Sequence, residues 1–509
     1  MQTRTERDSM GSMEVPADAY YGAQTERARR NFEIGGLRFP RAFLRALGLV
    51  KKSAARVNVG LGLLDARLGG LIEEAAQEVV DGRLDGWFPL VIFQTGSGTS
   101  TNMNANEVVA GRANELATGT RGGRSPVHPN DAVNMGQSSN DVIPTAIHVA
   151  AREEIEKRLI PALERLHAAL AERAEAFDGV VKIGRTHLQD AVPIRLGQEF
   201  SGYASQVEHG LRRVRAASEA LAEIPIGGTA LGTGVNTHAE FPERMAAALS
   251  GEVGVAFRPA SNPFEAMANR DAVVEASAML RTLAVSLSNV ANNLRLLGCG
   301  PRCGIAEIRI PELQPGSSIM PAKVNPVIPE AVMMVAAQVV GNDATIAWAN
   351  ALGSNFDLNV MMPVMAYNLL ESIDLLTAAA DHLARKCVDA REFLADQEAH
   401  GVSRIEADEE RCREHVERSL AMCTALAPRI GYDNASALAK AAYREGSTVR
   451  EVARAMAGLG PEEVARRLGG PASADVLREH GGFPPEEEVD RLLDPARQTE
   501  RGSTGGGGG

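Results

Sequence analysis

Apolar side chains recur every three or four residues along most of this chain, the spacing that lines one face of a helix. From about 41 to 84 the pattern is amphipathic. Five longer helical stretches follow, at 142–177, 194–223, 264–297, 327–351 and 359–388. Segments such as "MLRTLAVSLSNVANNLRLL" and "NVMMPVMAYNLLESIDLL" are apolar on more than one face, and a helix apolar nearly all round needs neighbours all round. The expectation is a mainly α protein whose centre is a long five-helix bundle that buries further surface against other copies of itself. Between these stretches the texture changes. Residues 1–40 are polar with little periodicity, and 93–140 is rich in Gly, Ser, Thr and Asn. Beyond about 390 the chain becomes highly charged, then breaks into short helical patterns separated by Gly and Pro. These shifts divide it into an N-terminal, mixed but mostly helical domain (1–137), a central bundle (138–390), a small C-terminal helical domain (391–496) and a disordered tail (497–509).

Composition agrees with helix over sheet: of 509 residues only 4% are aromatic, and Ala, Leu, Arg and Glu, all strong helix formers, are abundant. The net charge of −12 argues against general nucleic-acid binding, which needs a basic face. It also means that an anionic substrate requires a locally positive pocket. The five cysteines, at 299, 303, 387, 412 and 423, are too few and too scattered for a disulfide framework. Cys299 and Cys303 lack the second pair a zinc site needs, so reduced thiols are expected. No stretch reads as the roughly 18 apolar residues of a membrane span. The N-terminal "MQTRTERDSMG" lacks the apolar core of a signal peptide. The expected location is the cytoplasm.

Four polar loops punctuate the helices. In "QTGSGTSTNMNANEV" (94–108) a Gly-rich turn enters a helix, and the hydroxyls of Ser97 and Thr99 with nearby backbone N–H groups form either an anion cradle or an ordinary helix cap. In "VHPNDAVNMGQSSNDVIPTAIHVAA" (127–151), Ser138, Ser139, Asn140 and Asp141 precede a long helix, as a strong cap or as a carboxylate site at the positive end of the dipole. His128, Asn130 and Asp131 share a turn there, which alone reads as an Asx turn. The third loop, "GRTHLQDAVPI" (184–194), carries Thr186 and His187, a candidate acid or base. The fourth, "GSSIMPAKVNP" (316–326), holds Ser317, Ser318, Lys323 and Asn325 and is followed by Glu330; Gly316 permits a left-handed, strained turn there. Hydroxyls, amides, one Lys and one His suit a small dianion such as a dicarboxylate. There is no dinucleotide fingerprint, no phosphate-loop lysine and no obvious metal set, so neither cofactor nor metal is expected.

The fourth loop resembles the hallmark of the fumarase/aspartase superfamily, G-S-S-x-M-P-x-K-x-N, from Gly316 to Asn325. The other three loops match in order, and the resemblance runs from about residue 5 to 390 and into parts of the C-terminal domain. Within the superfamily, "QTGSGT", "SSND", "GGTALGTGVNTH" (227–238) and "GPRCG" (300–304) look like class II fumarases. The resemblance implies a three-domain fold with a tetrameric helical core. The implied reaction is the reversible hydration of fumarate to L-malate in the citric acid cycle, through an aci-carboxylate; the alternative is aspartate ammonia-lyase. It implies that Ser317 removes the C3 proton of malate, that Lys323 and Asn325 stabilise the resulting charge, and that His187, hydrogen-bonded to Glu330, helps hydroxide leave. Ser97, Thr99, Ser138, Ser139, Asn140 and Thr186 match the groups that hold the carboxylates and the leaving water. His128, Asn130 and Asp131 match a second, non-catalytic dicarboxylate site. It further implies a homotetramer whose active sites are each built from three subunits. Segments 387–412 and 460–482 depart from the family pattern by their extra length.

Overall fold

The computed structural model describes residues 2–397, 401–500 and 502. Helix dominates, as the apolar spacing predicts. We label α1 (Arg41–Gly60), α2 (Thr99–Thr118), α3 (Ser139–Glu154), α4 (Ile160–Ala176), α5 (Leu196–Ala220), α6 (Asp271–Leu297), α7 (Val327–Gly353) and α8 (Met362–His382). By spatial contact the chain groups into two compact units. One comprises Met1–Glu164, His209–Ser288 and Ala331–Ala380; the other comprises Arg165–Glu208, Asn289–Glu330 and Asp381–Gly509. Each of α4 to α8 contributes residues to both.

In the first unit α1 packs against the Ala66–Val80 helix, α3 and the Phe241–Val253 helix. Its buried face carries Phe43, Leu44, Leu47, Val50, Ala54 and Val57, and each large apolar side chain so buried contributes about 1.5–3 kcal/mol. Lys51 falls on that same face and is fully buried. The long pattern read over 142–177 is α3 and α4 joined by a π-helical stretch, Ile155–Leu159, just before Pro161. A proline has no N–H to donate and crowds the preceding turn, and the wider π turn accommodates both defects. The stretch read as one helix over 264–297 is two, Pro263–Ala268 and α6, because Asn269 is extended (φ −128°, ψ 160°). The N-terminus holds a hairpin, Thr3–Asp8 paired with Gly11–Pro16, that its polar sequence did not announce. Arg4 ties it down, donating to the carbonyls of Pro16, Ala17, Ala19 and Tyr21.

In the second unit Val416, Leu426, Leu438, Val452, Val464, Leu468, Leu477, Val489 and Leu493 form a core that also takes Ile183. The additional stretch 460–482 supplies two short helices, Pro461–Leu468 and Ala474–Glu479, and thereby Val464, Leu468 and Leu477. In the junction 387–412, Asp389 bridges Arg404 and Glu406–Ala407 pairs with Ile308–Arg309; residues 398–400 lie outside the described residues. The tail set at 497 begins with a 3₁₀ turn, Arg497–Thr499, while 501 and 503–509 lie outside the described residues.

One expectation is corrected. Helix α7, of 27 residues, is long and apolar enough by length and composition to cross a membrane. The run was missed because Asn342 and Asp343 interrupt it. Both are buried and bonded within the first unit: Asn342 Nδ2 donates to Ser372 Oγ (3.1 Å), and Asp343 accepts from Ser277 Oγ and Arg281 Nη1, each at 2.8 Å.

Candidate active site

The first loop is held from both ends. Gly98 caps α2 in the left-handed region (φ 71°), and a Cβ there would meet Ile143 at 2.9 Å. Gly96 lies against the chain after α7: a Cβ would stand 1.7 Å from the carbonyl oxygen of Val360. Gln94 Oε1 accepts from Thr101 N at 3.0 Å, and Thr95 Oγ1 from Ser100 N at 3.0 Å. The loop therefore presents a fixed pair of hydroxyls, Ser97 Oγ and Thr99 Oγ1, 2.8 Å apart.

The second loop starts α3 with a reciprocal cap: Ser138 Oγ accepts from Asn140 N (3.2 Å), and Asp141 Oδ1 accepts from Ser138 N (2.9 Å). Asp141 is buried, and its other oxygen accepts from Gly227 N (3.0 Å) and Thr229 N (2.9 Å). Burial pushes its carboxyl up to about 7, against those N–H groups and the charge of Lys51. Asn140 Nδ2 is held by Ala230 O (2.9 Å). Ser139 Oγ accepts from Asn102 Nδ2 (3.0 Å). Nearby, His128 Nδ1 accepts from the backbone N–H of Asn130 (3.2 Å) and Asp131 (3.0 Å), capping a short π-helical turn. Burial, together with the charge of Arg124, lowers the His128 pKa, in keeping with an Nδ1 that accepts rather than donates. His128, Asn130 and Asp131 thus share one turn.

Thr186 and His187 sit at the tip of a hairpin, Val181–Thr186 against Gln189–Arg195, with Thr186 opposite Gln189. His187 and Leu188 make the two-residue turn, both left-handed (φ 56° and 59°). Neither is Gly or Asn, so the turn costs about 1–2 kcal/mol per residue, strain of the kind that gathers at functional sites. Below the tip, Arg185 grips Glu307 with two hydrogen bonds (2.9 and 2.8 Å). Glu307 has no exposed side-chain surface and also meets Lys182 Nζ (3.2 Å) and His415 Nδ1 (3.0 Å). Burial alone would raise its pKa; Arg185, Lys182 and His415 outweigh burial and hold it below the usual value.

In the fourth loop Ser317 Oγ accepts two backbone N–H groups, from Ile319 (3.2 Å) and Met320 (2.9 Å). Hydrogen bonds to a hydroxyl oxygen favour its charged form. Lys323 Nζ donates to Asn325 Oδ1 (2.9 Å), Asn325 Nδ2 to Gly316 O (2.7 Å), and Gly316 N to Lys323 O (2.8 Å). Gly316 is not left-handed; it is needed because a Cβ would meet Lys323 O at 2.5 Å, and the left-handed residue is Ala322 (φ 64°). Glu330 lies in the first turn of α7. The expected hydrogen bond between His187 and Glu330 is not made within the described chain: neither side chain forms one.

The structure therefore gathers Ser97, Thr99, Ser138, Ser139, Asn140 and the His128 turn in the first unit. Thr186, His187, Ser317, Lys323, Asn325 and Glu330 belong to the second. Neither unit holds the whole set. Among the described residues no group of three or more His, Cys, Asp or Glu side chains is placed to hold a metal ion. Sequence reading missed Lys51, Asn102, Asn134 and Glu307. A lysine at a core position of α1, and asparagines 102 and 106 at i, i+4 on α2, were the available signals; nothing local marks Glu307.

Comparison with known proteins identifies the family. A lyase family model matches residues 11–341, and a model of the fumarase C C-terminus matches 422–469. A class II fumarate hydratase of Neisseria meningitidis is 52% identical over 463 residues, 91% of this chain and 97% of that protein. One from Halobacterium salinarum is 54% identical over 449 residues, 88% of this chain and 92% of that protein. The crystal structure of a class II fumarase from Schistosoma mansoni superposes with a TM-score of 0.86 at 36% identity, covering 98% of this chain and 99% of that one. The chain belongs to the fumarase/aspartase lyases, in their class II fumarase branch.

Proposed function

We propose that this chain is a fumarate hydratase, a hydro-lyase of the citric acid cycle that interconverts fumarate and L-malate in the cytoplasm. The observation that carries the catalytic assignment is Ser317, a hydroxyl oxygen receiving two backbone N–H bonds on a loop shared with Lys323 and Asn325. In the dehydration direction the Ser317 oxygen, as alkoxide, takes the C3 proton of malate. The electron pair moves into the adjacent carboxylate, giving an aci-carboxylate with one more negative charge. Lys323 has N–H donors left beyond the one given to Asn325, and with Asn325 it stabilises that charge. The pair then forms the C2–C3 double bond as the C2–O bond breaks. His187, set by Glu330, delivers a proton through a water to the departing hydroxide. Ser97, Thr99, Ser138, Ser139, Asn140 and Thr186 hold the carboxylates and the leaving water; His128, Asn130 and Asp131 form a second dicarboxylate site.

The complete site is built by three copies of the chain in a homotetramer. Two features support this: the residues divide between units, and α7 leaves Met334 and Trp348 68% and 67% exposed on one side. At about 100° per residue these two and Leu352 fall within about 40° of a common line, an apolar stripe of the kind that partners cover.

The test offers the purified protein L-malate and L-aspartate separately and follows the ultraviolet absorbance of fumarate. Malate turns over and aspartate does not. Turnover of aspartate alone assigns the ammonia-lyase reaction instead.

A further inference from the structure

Beneath Ser139 lies a buried polar chain that the reaction scheme does not use. It starts at Lys51, which has no exposed surface and, among the described residues, no carboxylate in contact. Its Nζ donates to two amide oxygens, Asn134 Oδ1 (3.0 Å) and Gln137 Oε1 (2.9 Å). In its charged form the Lys51 amine has hydrogens and no lone pair, and so turns both amide oxygens inward. Other contacts lock that choice. Asn134 Nδ2 donates to Gln137 O (3.1 Å), and Gln137 Nε2 donates to Val133 O (3.1 Å) and Met135 O (3.2 Å).

Asn134 Oδ1 also accepts from Asn102 Nδ2 and Asn106 Nδ2, each at 3.2 Å. Asn102 and Asn106 are buried, and this orientation leaves their own amide oxygens without partners. Buried acceptors left without partners are destabilising. The Lys51-anchored acceptor is what holds the amides that way round despite the cost. Asn102 Nδ2 in turn donates to Ser139 Oγ (3.0 Å). One lone pair of that hydroxyl is thereby occupied, and its proton has no acceptor in the described chain.

We infer that Lys51 is a positioning residue for substrate binding: acting through Asn134 and Asn102, it fixes Ser139 as a hydrogen-bond donor toward the incoming carboxylate. The inference rests on the reading of Ser139 as a substrate-binding group. Reverse the Asn102 amide and its oxygen takes the Ser139 proton, leaving hydroxyl lone pairs to face the anion. One buried amine thus sets the polarity of a hydroxyl three hydrogen bonds away, without touching substrate. Burial draws the Lys51 pKa down to about 7, against the charge of Asp141, which is held by three backbone N–H groups at the base of the same loop.

A kinetic double-mutant cycle tests this with Lys51→Met, which keeps the unbranched stem but removes the amine, and Ser139→Ala. Lys51→Met raises KM for malate and fumarate about tenfold to a hundredfold, the loss of one charge-assisted hydrogen bond. Its kcat stays within about threefold, and the double mutant has the KM of Ser139→Ala alone. Asn102→Ala runs through the same cycle in parallel, so a misfolded Lys51 variant does not stop the test. An unchanged KM in a folded variant, or effects that add to those of Ser139→Ala, overturns the relay. If Ser139→Ala itself leaves KM unchanged, the reading of Ser139 falls, and the relay with it.

Discussion

His148 shows what burial alone does to a titrating group here. It lies inside the first unit with Nδ1 donating to Glu223 O at 2.6 Å. Burial pushes its pKa down to about 4, and the nearby charge of Arg270 adds to the effect. The unfolded chain protonates His148 near 6.5, so between 6.5 and 4 it binds a proton that the folded chain refuses. Stability present above pH 6.5 is therefore lost as the pH falls to about 4, by roughly 3 kcal/mol for this residue. Urea unfolding across that range checks it. The stability difference between the parent and His148→Gln, which keeps a donor but does not titrate, shifts against the parent by that amount. Single residues were legible in sequence where chemistry is local. Ser317, Lys323 and His187 stood out because each sits on a polar loop between apolar helices. Lys51 did not, since its role depends on Asn134 and Gln137, more than eighty positions away.

At the scale of elements, apolar periodicity placed the long helices to within a few residues, because a helix records its buried face every turn. It failed where that signal is weak. The Thr3–Pro16 hairpin is nearly all polar, and Asn269 divides one apolar run into two helices. The hairpin of Thr186 and His187 was readable only as a non-helical loop, because what steadies it is distant in sequence: Glu307, gripped by Arg185 and Lys182. Glu307→Ala leaves Lys182 buried with only Glu199 and the Ile183 carbonyl for company. Removing one member of a buried charged cluster costs about 3 kcal/mol. It also loosens the hairpin below its tip, and a misplacement of about 1 Å there lowers kcat by up to about a hundredfold. Calorimetry and steady-state kinetics on the one variant read both losses.

For the whole molecule, the proposal that sites are shared between copies makes a prediction that no single chain can satisfy. Ser317→Ala and His187→Asn chains are each nearly inactive. Unfolded together and refolded as a mixture, they regain about a quarter of parental activity, because a random assembly places intact Ser317 from one copy beside intact His187 from another. Separately refolded samples, mixed afterwards, stay inactive. If co-refolding restores nothing, both residues of a site come from one chain. The sequence made the helical character and the loops plain. It points to an assembly only indirectly, through helices too apolar for the surface one chain can cover, and on α7 Met334, Trp348 and Leu352 are exposed.

The contact at Gly96 bears on how this site could have varied. The obstacle to any side chain there is a backbone carbonyl, that of Val360, which cannot rotate aside as a side chain could. In a library randomised at every glycine, position 96 admits one letter, whereas Gly70 and Gly86, with open space around them, admit many. The tolerance of this loop to mutation is thus governed from the chain beyond α7, where Val360 obstructs first with its main chain.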